Sequence, residues 1–66
     1  MSPEEARVRE EIARLRRCAV NERVDAARYR AQGAHGVAAG CKAASVQFDA
    51  EANALVATLK DQTDES

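Results

Sequence analysis

Apolar residues recur at spacings of three and four along the second half of the chain, a repeat that places side chains on one face of a helix. The residues of this face are Val37, Cys41, Ala44, Phe48, Ala52, Leu55 and Leu59. The repeat predicts a helix from about Val37 to Lys60. Residues 61–66 are acidic and carry no apolar side chain, so we expect them to form a flexible tail.

The first half of the chain also predicts a long helix, from about Pro3 to Gln32. Ser2 is suited to cap the helix, proline is favoured at the first helical position, and Glu5 is placed to complete a capping box. No glycine or proline interrupts the sequence between Pro3 and Gly33. The start of this helix is therefore specified by several local signals at once.

Two glycines separate the predicted helices. Gly33 lies where a helix commonly ends in a left-handed residue, and Gly36 can serve as a permissive N-cap for the next helix. We therefore expect a turn over residues 33–36. Two helices joined by so short a turn pack side by side in opposite directions. The sequence thus predicts an all-α fold, a two-helix antiparallel hairpin.

The first helix carries a seven-residue repeat of arginines, formed by Arg9, Arg16, Arg23 and Arg30. In a heptad written a to g, position a holds Ile12, Ala19 and Ala26, position d holds Val8, Leu15 and Tyr29, and position g holds Glu4, Glu11, Cys18 and Asp25. The arginines then occupy position e. Acidic g and basic e positions favour pairing between parallel helices of a coiled coil. The alternative is that these charges only pair along one helix, as Glu5 and Arg9 can.

The chain is small for a protein that folds alone. It has 66 residues, and many of its apolar residues are alanine. Chains of this size generally need a disulfide, a metal or a partner subunit. We therefore predict a homo-oligomer, a four-helix bundle or a coiled coil, with a dimer favoured. The predicted core and oligomer contacts are Ile12, Leu15, Tyr29, Phe48, Leu55 and Leu59.

Each predicted helix also carries a second apolar stripe. The first helix has Ala13, Val20, Val24, Ala27 and Ala31, and the second has Ala39, Ala43, Val46, Ala50 and Ala57. A helix that is buried on one side needs only one such stripe. The second stripes therefore predict contacts beyond the hairpin itself.

The composition argues against a membrane protein and against a global attraction to nucleic acid. The formal net charge is −1, and the longest apolar run is far shorter than a membrane span. The N-terminal residues are too charged for a signal peptide, so we expect a cytoplasmic protein. The preference for arginine over lysine and the many alanines are typical of GC-rich coding, as in an actinobacterium or its phage.

The glycine-rich stretch from Gly33 to Ala44 does not match a phosphate-binding loop. Such a loop follows a strand and ends in Gly-Lys-Ser or Gly-Lys-Thr, whereas here Lys42 follows a cysteine and precedes an alanine. The small residues Gly36, Gly40 and Ala44 instead favour the close approach of another helix.

The residues with metal or nucleophilic chemistry are Cys18, His35 and Cys41, the only thiols and the only imidazole in the sequence. In an antiparallel hairpin the two cysteines lie two to three helical turns apart, too far for a disulfide or a shared metal. No nucleophile is paired with a base by its spacing. We therefore expect no metal, no cofactor and no enzymatic activity.

These observations predict a non-enzymatic interaction protein that self-associates and binds another protein, as an adaptor, a structural accessory or an inhibitor. The predicted binding residues are Arg16, Val20, Arg23 and Val24, where basic and apolar side chains adjoin without an evident role inside the chain. The alternative is a nucleic-acid-binding protein that uses the arginine-rich first helix. Interleaved glutamates and the near absence of aromatic residues favour protein binding.

Overall fold

The computed structural model describes the backbone of residues 2–64, and this part of the chain consists of two helices. Helix α1 is Pro3–Ala31, and helix α2 is His35–Asp64. The two helices pack against each other along an elongated unit with Cα extents of 52 × 16 × 10 Å. The predicted all-α antiparallel hairpin is confirmed.

Helix α1 begins where the sequence predicts. The backbone N–H of Glu5 donates to the Ser2 hydroxyl oxygen over 3.2 Å, which satisfies one of the amides left unpaired at a helix start. Pro3 follows the cap, and Glu4 and Glu5 lie in the first turn, where the helix dipole favours negative charge.

The first helix ends in a left-handed glycine, as expected. Gly33 has a φ of 82°, a conformation that costs a residue with a Cβ atom about 1–2 kcal/mol. The N–H of Gly33 donates to the carbonyl of Arg30 over 3.0 Å, and the N–H of Ala34 donates to the carbonyl of Tyr29 over 2.9 Å. These two bonds are those of a Schellman motif.

The connection is shorter than the sequence predicts. The carbonyl of Ala34 already accepts from the N–H of Ala38 over 3.0 Å, so α2 starts at His35 and not at Val37. Gly36 therefore lies inside the first turn of α2, and its predicted role as N-cap is wrong. Ala34 therefore takes part in both helix ends: its N–H completes the Schellman motif of α1, and its carbonyl accepts the first hydrogen bond of α2.

The C-terminal end of α2 also differs from the prediction. The helix continues to Asp64, so its predicted end at about Lys60 is too early. The flexibility expected for residues 61–66 stays a prediction. No glycine or proline follows Lys60, and without such a residue nothing in the sequence stops the helix. Residues 65 and 66 of the predicted tail lie outside the described residues.

The core is built mainly from small residues at heptad spacing. In α2 the buried residues are Ala38, Ser45, Ala52 and Leu59, spaced by seven, and in α1 they are Leu15, Ala19 and Ala26. Small side chains at the contact let the two helix axes approach closely. The remaining predicted core residues lie at the edge of this seam: Ile12, Phe48 and Leu55 are half-buried, and Tyr29 is 36% exposed.

The buried face of α2 contains six of the seven predicted residues, all but Val37, and adds two buried residues that were not predicted. Val37 is 53% exposed, and Ala38 and Ser45 belong to the buried face instead. The Ser45 hydroxyl donates to the carbonyl of Lys42 over 2.7 Å, which satisfies it without a partner on α1. The apolar spacing did not predict Ser45 because its side chain is polar, and it began the face at Val37 in place of Ala38.

Candidate interaction surface

An ion pair shows which sides of the two helices lie together. Arg23 of α1 donates from Nη2 to Oδ2 of Asp49 on α2. Arg23 belongs to the heptad row Arg9, Arg16, Arg23 and Arg30, and Asp49 belongs to the row that continues to Val56. The arginine row of α1 therefore lies along the same side of the hairpin as the Asp49 row of α2.

Two adjoining grooves line this side of the hairpin. The first has a volume of about 480 Å³ and is lined by Arg9, Ile12, Ala13, Arg16, Val56, Leu59 and Lys60. The second has a volume of about 400 Å³ and is lined by Arg16, Val20, Arg23, Asp49 and Asn53. Both grooves are open to solvent, and they share Arg16, so they form one continuous surface.

We call this surface the basic face. It comprises Arg9, Ala13, Arg16, Val20 and Arg23 of α1 with Asp49, Asn53, Val56 and Lys60 of α2. It carries four cationic side chains against one carboxylate of its own, Asp49, and the Glu5 carboxylate beside it pairs with Arg9. Its apolar part is partly open, with Val20 50% exposed. Arg16 makes no ion pair within the described residues, whereas Arg9 contacts Glu5 at 3.5 Å. The face thus combines accessible apolar area with positive charge.

The opposite side of the hairpin carries the acidic residues. Arg14 donates from Nε to Oε1 of Glu11 over 2.6 Å, and Cys18 and Glu51 lie near it. Further along, Cys41 lies beside Glu22 and Asp25. Because Asp25 follows Arg23 by two residues, about 200° around a helix, the two groups lie on different sides.

We call this second surface the acidic face. It comprises Glu11, Arg14, Cys18, Glu22 and Asp25 of α1 with Cys41, Phe48, Glu51 and Leu55 of α2. Phe48 and Leu55 belong to it because they follow Cys41 at intervals of seven residues. The face carries four carboxylates against one arginine, and its row of Cys41, Phe48 and Leu55 is half-buried.

The antiparallel packing explains this separation of charge. In such a pair the e positions of one helix adjoin the e positions of the other, so basic e and acidic g residues end on different sides. The a and d positions of α1 are occupied by contact with α2, because Leu15, Ala19 and Ala26 are buried there. The pairing of g with e positions that the sequence suggests for parallel helices is therefore not used inside the chain.

The predicted binding residues lie close together. Arg16, Val20 and Arg23 line the basic face, and Val24, one position beyond Arg23, is 52% exposed. One expectation is wrong: Arg23 does have a role inside the chain, in its ion pair with Asp49. The contributions of Asp49, Asn53, Val56 and Lys60 were missed. The seven- and four-residue spacing of these residues can be read from the sequence, but the sequence does not show which residues of α1 they lie beside.

The cysteines and the histidine do not form a site. Cys18 and Cys41 are free thiols, and both are half-buried. Partial burial raises the pKa of the Cys41 thiol, and Glu22 and Asp25 raise it further. Among the described residues, no three His, Cys, Asp or Glu side chains are placed to hold a metal ion. His35 is exposed at the start of α2.

The glycines of α2 face away from α1. A Cβ atom built on Gly36 or Gly40 would meet no atom within 4 Å, so neither glycine is needed for the approach of the two helices within the hairpin.

Neither helix, over its described residues, has a stretch long and apolar enough to cross a bilayer.

Comparison with protein-family models, with curated proteins and with solved structures found no match to this chain.

Proposed function

We propose that this protein is a non-enzymatic helical interaction protein that self-associates and binds another protein through its basic face. The observation that carries the proposal is the grouping of exposed Val20 with Arg16 and Arg23 beside an open groove. Protein interfaces combine apolar anchors with arginine, whose guanidinium group forms directional bonds at the rim.

Self-association is supported by the small size of the core. The buried residues of the hairpin are two leucines, four alanines and one serine among the described positions. Burial of alanine removes little apolar surface from water, so such a pair of helices gains little stability from its own contact. A second hairpin packed on an open face would form a four-helix bundle, with a dimer as the smallest assembly.

A role as adaptor, structural accessory or inhibitor in the cytoplasm fits this proposal. None of the open grooves encloses a reacting group. The Cys41 thiol lies against the Glu22 carboxylate, but its pKa is raised, which favours the protonated thiol over the nucleophilic thiolate. The arginine- and alanine-rich composition fits an accessory protein of a GC-rich bacterium or its phage.

Nucleic-acid binding is the second candidate, and one observation favours it. The basic face groups four cations on one side, whereas the sequence alone suggested that acids interrupt them. Against it, Asp49 lies within the face, and neither aromatic residue of the described chain belongs to it. Proteins that bind single strands use aromatic side chains as stacking platforms.

A paired binding experiment separates the two candidates. The protein is titrated with random-sequence DNA at several salt concentrations, and it is used in parallel to capture proteins from the lysate of its host. Protein binding predicts a stoichiometric protein partner that is retained by Arg28→Glu and lost by Arg16→Glu. A DNA dissociation constant below about 1 µM with a steep salt dependence, lost in Arg16→Glu, would overturn the proposal in favour of nucleic acid.

A further inference from the structure

The two faces of the hairpin are complementary to each other. The basic face carries four cations against the Asp49 carboxylate, with Glu5 paired to Arg9 beside it, and the acidic face carries four carboxylates against Arg14. Each face also has partly open apolar residues, Val20 and Val56 on one side and Phe48 and Leu55 on the other. The surface that best matches the basic face is thus present on the same chain.

The spacing of the charges matches as well. Arg9 and Arg23 are separated by 14 residues, and so are Glu11 and Asp25, which is about 21 Å along a helix. Arg16 lies midway between the two arginines. Glu51 approaches Arg14, between the two acids. Two copies placed side by side in the same direction therefore bring Arg9 of one copy near the level of Glu11 of the next, and Arg23 near the level of Asp25.

A symmetric dimer would lack this match. A two-fold axis places the same patch of both subunits together, so it opposes arginine rows on one face or carboxylate rows on the other. Like charges held together in an interface are unfavourable. A contact between unlike faces avoids this repulsion.

From these observations we infer that the protein associates head to tail, with the basic face of one copy packed on the acidic face of the next. This inference rests on the proposed self-association and names its partner as a second copy of the chain. Because each added copy leaves one basic and one acidic face open, the contact builds an open filament unless the rotation between copies closes it into a ring. The basic face at its end remains available to another protein.

Two blocked variants test this arrangement. The basic-blocked variant is Arg16→Glu with Val20→Glu, and the acid-blocked variant is Asp25→Asn with Glu51→Gln, which removes negative charge without adding cations. All four residues lie outside the buried core of the hairpin. Each variant keeps one face intact, so neither can stack with itself, but the two together can form a single contact.

Sedimentation velocity of the separate and mixed variants gives the result. We expect wild type to form assemblies larger than a dimer as concentration rises, and each variant alone to associate at least about tenfold more weakly. The equimolar mixture is expected to form a one-to-one dimer and nothing larger. Formation of this dimer also shows that both variants are folded.

Three outcomes would overturn the inference. If the acid-blocked variant alone forms a dimer as tight as wild type, the contact is symmetric and uses the basic face, and protein association stands without the head-to-tail arrangement. If the mixture stays monomeric while helical circular dichroism is retained, the two faces do not meet. If the acid-blocked variant binds random-sequence DNA more tightly than it binds the basic-blocked variant, the basic face serves nucleic acid, and the proposed function fails with the inference.

Discussion

Arg23 of α1 and Asp49 of α2 form an ion pair across the hairpin, on the side where the arginine row runs. Their side chains remain 52% and 39% exposed, so water and salt screen the interaction. The pair marks the register of the two helices, and it neutralises the one carboxylate of the basic face.

Removal of this ion pair is expected to change stability little. Arg23→Ala and Asp49→Ala should each lower the free energy of unfolding by less than about 1 kcal/mol, because exposed pairs contribute little. Urea unfolding of both single variants and of the double variant gives the coupling energy. A coupling above about 2 kcal/mol would show that the pair holds the hairpin together instead of merely marking its register.

The alanine seam is expected to resist larger side chains. Ala52 is 1% exposed against α1, so Ala52→Leu should force the helices apart and cost about 1–3 kcal/mol. Ala54→Leu is the matched control, since it makes the same change at an exposed position of the same helix. Equal urea midpoints for the two variants would contradict the close contact of the helices at Ala52.

Substitution of Gly33 and of Gly40 by alanine is expected to change the stability of the hairpin in opposite directions. Gly33→Ala places a Cβ atom on a residue with a φ of 82°, and should cost at least about 1 kcal/mol. Gly40→Ala adds a Cβ to a helical residue with no atom within 4 Å, and should stabilise by about 0.5–1 kcal/mol. Thermal unfolding of both variants checks this. A neutral Gly33→Ala would argue against the Schellman turn.

The Cys41 thiol is expected to make stability depend on pH in the alkaline range. Its pKa is raised in the folded state, first by partial burial and then by Glu22 and Asp25. As the pH rises past about 8.5, the unfolded chain releases this proton first, so the folded state loses stability until the folded pKa is passed. Below the pKa of the thiol in the unfolded chain, the stability linked to this proton is fully present. Urea midpoints at about pH 7 and about pH 10 should therefore fall less for Cys41→Ala than for wild type.

The hairpin itself could be predicted because its signals are local. Ser2 and Pro3 specify the start of α1, and Gly33 specifies its end. The start of α2 could not be predicted, because it depends on the Ala34 carbonyl, and alanine carries no capping side chain. The end of α2 was placed too early, since an acidic composition does not by itself stop a helix.

The buried face of α2 was harder to predict for a different reason. Alanines occur on every side of both helices, so hydrophobic spacing alone does not distinguish the seam from the surface. Ser45 lies in the seam although its side chain is polar, and Val37 lies outside it although its side chain is apolar. The segregation of charge could be predicted only in part, because it depends on antiparallel packing as well as on the heptad of α1.

The claim that the basic face is a protein-association surface is tested most directly by sedimentation equilibrium of wild type, Arg16→Glu and Arg28→Glu. The two variants make the same change at exposed arginines of α1, and Arg28 lines neither groove of the basic face. We expect Arg28→Glu, in which the changed residue lies in the heptad row of Arg14 beside the acidic face, to associate at least as tightly as wild type. Arg16→Glu is expected to dissociate at a concentration at least about tenfold higher, a loss of about 1.4 kcal/mol. Equal association of all three proteins, or a monomer in every case, would contradict the claim.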